Sequence, residues 1–255
     1  LPVTKAIKEM IAYLCGWFKV SDLRIMLKPD FLVNYRTGVN DVNEKNIINS
    51  RAWIQTAINF SHRIETKTYD AEKLKAYLPE LRSMTVQSPE VFMPRMREIF
   101  AECGVAFVLL PNLKNSGVNG AVKWINDERV VLAMNNRRLD ADIFWFSLFH
   151  EIKHVLQRKI KTVFISYGEK EMIEMNEKLE EDADNFATNY LIPASEFRKF
   201  APNKFTSDAE IVAFAKSIGV HPGIVAGRLQ HEGILLPNRC SKFKEKYDIK
   251  INHTA

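Results

Sequence analysis

A chain of 255 residues, 46% hydrophobic and 26% charged, is long enough to bury its own core and reads as an ordinary soluble globular protein. Its net charge of +5 permits a nucleic-acid partner without arguing for one, and its three scattered cysteines, Cys15, Cys103 and Cys240, imply neither a disulfide framework nor a cysteine zinc site. Apolar runs such as 143–149 are far too short to cross a bilayer and no secretory signal is visible, so no membrane partner and a reducing cytoplasm are expected.

Taken in order, residues 4–17 predict a short helix with Ile7, Met10, Ile11 and Leu14 on one face, closed by Gly16. Residues 28–43 read as loop, with Pro29-Asp30 and Gly38 as breakers. Two helices follow. Residues 46–65 carry Trp53, Ile54, Ala57, Ile58 and Ile64, and residues 70–82 carry Leu74, Tyr77, Leu78 and Leu81. His62 sits among charged neighbours and reads as a surface residue. Ser88 and Pro89 open a further helix through Phe92, Met96, Ile99 and Phe100, stopped by Gly104; Pro94 threatens a kink near its start. The period then changes to two. Residues 105–110 predict a buried strand, and residues 120–125 and 129–134 a strand pair turning at Asn126-Asp127. The 120–125 strand is the candidate edge for holding an extended peptide by its backbone, beside the plain reading of a structural hairpin.

The most informative stretch is 144–157, which contains His150-Glu151-Ile152-Lys153-His154. Histidines four apart on a helix share one face, so both imidazoles can reach a single zinc ion while Glu151 between them reaches a water. Asp140 and Asp142 fall at the first turn, where carboxylates suit the orphan amides and the helix dipole. Residues 162–167 read as a further strand and 169–178 as a charged, exposed segment. A catalytic zinc site ordinarily takes three protein ligands. The helix at 179–192, ended by Pro193, places Glu180 and Asp184 beside its buried face. Glu180 can supply the third ligand, and Asp184 can accept the free ring N–H of a ligating histidine. Alone, such a helix would read as a solvated acidic face; beside H-E-x-x-H the metal reading takes over. Further on, Ser207 and Glu210 form a capping box, Ile211, Phe214, Ala215 and Ile218 give an apolar face, and Pro222 opens a second helix to about Gly233. The pair could be a helix-turn-helix, but packing on the preceding unit is the commoner fate of such hairpins. His221 and His231 stand outside any ligand spacing and read as surface or capping residues.

The combination H-E-I-K-H followed by E-x-x-A-D-x-F-A-x-x-x-L-I-P resembles the ImmA/IrrE family of zinc metallopeptidases, as do the flanking residues 144–149. The C-terminal stretch 219–231 resembles members that follow an XRE-type helix-turn-helix, as in HigA-like antidote or regulator proteins. The resemblance implies His150, His154 and Glu180 as zinc ligands, Glu151 as the catalytic carboxylate, and a repressor or toxin–antitoxin component as protein substrate. The chain begins at Leu1, as a piece downstream of the DNA-binding module would, so DNA is expected only through a module absent from this chain. His221, Tyr190 and Tyr167 are the candidates for donating to the transition-state oxyanion. The expected fold is α+β, mainly helical, with a zincin-like (gluzincin-type) core and a small antiparallel sheet; a homodimer is compatible with it. The expected units are an N-terminal helical segment at 1–87, the metallopeptidase core at 88–200, and a C-terminal helical hairpin and tail at 201–255. The competing function is a non-catalytic antitoxin or sensor domain with a structural or vestigial metal site.

Overall fold

The computed structural model describes residues 4–27, 34–37, 44–137, 139–158, 169–200 and 207–249. Helix α1 (Ile7–Phe18) runs through Gly16 and ends at Lys19, which takes the left-handed conformation at φ 53°. Its apolar residues Ile7, Met10 and Ile11 stay exposed. Strand β1 (Asn34–Thr37) forms inside the stretch that reads as loop; residues 28–33 and 38–43 lie outside the described residues. Helix α2 (Glu44–Ser61) buries Trp53, Ile54 and Ala57, while His62 beyond it is exposed as expected. Helix α3 (Ala71–Ser83) starts on Asp70, whose carboxylate accepts from the Lys73 amide at 2.9 Å. Helix α4 (Pro89–Glu102) tolerates Pro94 near its start and buries Phe92, Met96, Ile99 and Phe100. Gly104 follows at φ 77°, a conformation that favours glycine, and a Cβ there would overlap the Tyr69 backbone.

Strands β2 (Val105–Leu110), β3 (Val118–Asn126) and β4 (Arg129–Asn135) join β1 in one four-stranded sheet of order β1-β3-β4-β2. The hairpin of β3 and β4 is antiparallel as expected, but β2 runs parallel to β4. The sheet is therefore mixed, a correction to the antiparallel expectation: side-chain alternation says nothing about which way a neighbouring strand runs. A second correction concerns β3. It is no edge strand over its first half, because β1 pairs with it there.

The sheet is buried on both faces, which explains why β2 reads as an unbroken apolar run. Val105, Phe107 and Leu109 face one cluster with Val130, Leu132 and Met134. Ala106, Val108 and Leu110 face the other with Val131, Ala133 and the α2 residues Trp53, Ile54 and Ala57.

The first cluster is covered by α4 and by α5 (Ala141–Gln157), whose Phe144, Trp145, Leu148, Phe149 and Ile152 are buried. Helix α6 (Glu169–Leu191) packs along α5 and includes the charged segment 169–178 as its first half. The expected strand at 162–167 lies outside the described residues. Short α7 (Ala194–Phe200) follows, then α8 (Asp208–Ile218) with the expected capping box formed at Ser207 and Glu210, and α9 (Pro222–His231), which packs on α5. One apolar cluster runs from Leu74 to Ile249, so residues of the units expected at 88–200 and 201–255 share it. Among the described residues no single helix is long and apolar enough to cross a membrane.

Candidate metal centre

Helix α5 presents His150 and His154 one turn apart on the face turned to α6, and α6 returns Glu180 to meet them. The two Nε2 atoms lie 3.0 Å apart. Glu180 Oε2 is 3.3 Å from His150 Nε2, and its Oε1 is 3.3 Å from His154 Nε2. Both histidines and Glu151 are 1% exposed, whereas the Glu180 side chain is 38% exposed, so the cluster is walled by protein on the α5 side and open beside Glu180.

The outer ring nitrogens fix the tautomers. His150 Nδ1 lies 2.8 Å from Asp184 Oδ1, an acceptor only, so this nitrogen donates. His154 Nδ1 lies 2.8 Å from Gln157 Oε1. Gln157 in turn donates through Nε2 to the Leu179 carbonyl and to Asp182 Oδ2, each at 2.9 Å, which identifies Oε1 as its acceptor end. With each Nδ1 engaged on the outer side of its ring, both Nε2 atoms and the Glu180 carboxylate converge on one point, where they can share protons or a metal ion. Burial disfavours charge on His150, yet hydrogen bonds to Asp184 and Glu180 outweigh it and push that ring up to about 9. Burial likewise opposes charge on Glu180, but its bonds to His150 and His154 hold the carboxyl down at about 2. Nitrogen and carboxylate donors in this number, with an open side, fit zinc in a site that keeps a position for water.

Glu151, the next residue on α5 after His150, lies up against the sheet, and its charge acts on His150. A Cβ on Gly120 of β3 would overlap the Glu151 carboxylate, so the absent side chain lets Glu151 lie directly on the strand backbone. A cleft of about 520 Å³ opens beside the cluster, bordered by Asn119 of β3, Asp142, Phe146 and Ser147 of α5, Asp184 of α6 and His231 of α9. Within it, Asp142 Oδ1 is buried without a hydrogen-bond partner, and burial raises the Asp142 carboxyl above the usual range.

The structure thus brings together His150, Glu151, His154, Glu180 and Asp184. It does not bring in the oxyanion candidates it describes. Tyr190 stacks between Phe149 and Phe186, with ring centroids 5.3 Å away in each case. His221 caps α9: its Nδ1 accepts from the Gly223 amide at 3.1 Å, and its Nε2 faces Glu245 at 3.2 Å. Tyr167 lies outside the described residues. Two members of the site were missed in the sequence. Gln157 stands three residues after His154 on the same helix face, so H-E-x-x-H-x-x-Q carried a signal for it. Gly120 gave no local signal, because its role is a tertiary approach. No curated protein matches the chain. Residues 108–230, from within β2 to α9 and including every residue of the cluster, match the family model of the IrrE N-terminal-like domain, Peptidase_M78, and this region is similar to that metallopeptidase family.

Proposed function

We propose that the chain is a zinc-dependent endopeptidase acting on a regulatory protein, a repressor or a toxin–antitoxin component. The observation that carries this reading is the convergence of His150 Nε2, His154 Nε2 and Glu180 on one point, with Glu151 one residue along the same helix against the sheet. His150, His154 and Glu180 hold the metal; Asp184 and Gln157 fix the histidine tautomers and raise their basicity. Held by these residues, zinc would supply a water acidic at a pKa of about 7 and Lewis acidity toward a scissile carbonyl. Glu151 takes the proton of the attacking water on its carboxylate and passes it to the leaving amine. Its burial keeps bulk water from competing for that proton. The similarity of residues 108–230 to the IrrE N-terminal-like domain supports a substrate among regulators.

Metal analysis of the purified chain should return about one zinc per chain. His150→Ala should lose the metal, and Glu151→Gln should keep it while losing cleavage of a repressor or toxin–antitoxin protein encoded beside this chain. A chain that takes up no zinc under non-chelating conditions would rule the reading out.

A further inference from the structure

Resting on the peptidase reading above, we propose that the outer edge of β3 over Val118–Val122 is the ladder on which an extended peptide lies, and that Asn34–Thr37 of this same chain is its resident occupant, so that a substrate enters by displacing β1.

The placement of β1 carries this. It pairs antiparallel with β3, Asn34 opposite Val122, Tyr35 opposite Ala121 and Thr37 opposite Val118. Between the last two pairs one residue of β1, Arg36, faces two of β3, Asn119 and Gly120. The irregularity in the ladder thus falls at Gly120, the residue whose backbone lies against the Glu151 carboxylate. Asn119 beside it borders the cleft that Asp184, the partner of His150, also lines. A strand has two hydrogen-bonding edges. The inner edge of β3 belongs to β4 and the outer one, at the height of Glu151, belongs to β1. Among the described residues, the backbone row that a peptide would need beside Glu151 is therefore already filled, by a segment in the extended conformation that a peptide substrate would itself adopt.

The length of β1 makes it an exchangeable occupant. Four residues form only a few ladder bonds, and among the described residues its other edge has no strand neighbour in the sheet. A longer extended peptide makes more bonds along β3. The chemical class that fits is a peptide segment without structure of its own, recognised through its backbone and bound antiparallel to β3.

The test uses the full chain carrying Glu151→Gln, loaded with zinc so that peptide is bound without being cut. The probe is fluorescein-labelled oxidised insulin B chain, read by anisotropy. Of two successive residues in an edge strand, one points its N–H at the neighbour and the other away. Tyr35→Pro together with Arg36→Pro therefore removes a ladder donor whichever residue supplies it. Binding should tighten at least tenfold relative to the parent. In the opposite direction, Tyr35→Cys with Ala121→Cys places two cysteines at directly opposed positions. The oxidised form should not bind the probe, and dithiothreitol should restore binding to the parent level, while oxidised Ala121→Cys alone should bind as the parent does. Equal affinity of the proline chain and the parent, or equal affinity of the oxidised and reduced forms of the cysteine pair, overturns the proposal. Zinc content measured on the same samples separates the two readings: a chain without zinc fails as a peptidase, whereas the paired binding comparison reports on β1 alone.

Discussion

His154 presents Nε2 to the cluster because Gln157 takes the proton on its other nitrogen, and Gln157 is itself held by the Leu179 carbonyl and Asp182. Replacing it with leucine keeps the helix and removes the acceptor. Gln157→Leu should weaken zinc binding by about 10- to 100-fold, measured by competition with a chromogenic chelator, because the ring is then free to turn or to carry its proton on Nε2. Gly120→Ala acts on the sheet side of α5. Its Cβ would overlap Glu151, so the carboxylate must move while the three converging ligand atoms stay where they are. Zinc content should be unchanged, and kcat/KM should fall by about 100-fold, the order expected for a displacement near an ångström at a reacting group. The contrast between these residues shows where a sequence is readable. His150, Glu151 and His154 are legible because their spacing and the helix that carries them are both local. Glu180 and Asp184 are legible because a helix face can be reconstructed from its apolar partners. Gly120 meets Glu151 only through the packing of β3 on α5, and no pattern around either residue announces it.

Helix α6 packs along α5, and arginines from two other helices hold its C-terminal end. The Thr188 carbonyl accepts from the Ile192 amide at 3.1 Å, but Pro193 has no N–H with which to continue the helical bonding beyond it. Arg82 of α3 donates through Nε to the carbonyls of Tyr190 at 3.0 Å and Leu191 at 3.1 Å, and through Nη2 to Leu191 at 2.9 Å and Ile218 at 2.8 Å. Arg228 of α9 donates to Thr188 at 3.2 Å and Ile192 at 2.7 Å, with its guanidinium 4.0 Å from the Phe197 ring centroid. Arg82→Leu would leave several carbonyls of α6 and α8 without their charged donor. A loss of about 2–3 kcal/mol is expected, seen as a lower urea midpoint with an unchanged slope. Neither arginine stood out in the sequence, since a cation gives no hint of which distant helix end it will cap. The same limit hid β1. Asn34-Tyr35-Arg36-Thr37 lacks alternation and lies between breakers, and it is a strand only because β3 offers it an edge. The helices of the second half were legible for the converse reason: the capping box at Ser207, the proline at the start of α9 and Gly219 at φ 68° are signals contained in the helix ends themselves.

At the scale of the whole molecule, the metal site and the C-terminal segment both tie α5 to the rest of the fold. A metal that binds the folded chain alone stabilises it by mass action, about 2.7 kcal/mol at a hundredfold excess over Kd. Zinc should therefore raise the melting temperature of the parent and leave that of His150→Ala where it was, as read by circular dichroism. The C-terminal segment holds the opposite end of the helix. The Ala141 amide donates to the Glu245 carbonyl and the Tyr247 amide to the Leu139 carbonyl, each at 2.8 Å. Trp145 Nε1 donates to the Tyr247 hydroxyl at 2.9 Å. Burial pushes the Tyr247 phenol up to about 12, against the lowering effect of the Trp145 bond. Its ordinary value is 10.0, so between these pH values the unfolded chain ionises while the folded one keeps its proton. The folded state then binds more protons than the unfolded, and stability falls as pH rises. Tyr69, which burial also pushes up to about 12, adds to the same slope. The contribution should be fully present below pH 10 and lost by about pH 12. Tyr247→Phe should be less stable at neutral pH by about 1–3 kcal/mol, because Trp145 loses its buried acceptor. The same variant should lose less additional stability on going to high pH. Denaturant titrations followed by tryptophan fluorescence at neutral pH and near pH 11 measure both differences, and an equally steep alkaline loss in the two chains would show that Tyr247 does not carry the dependence.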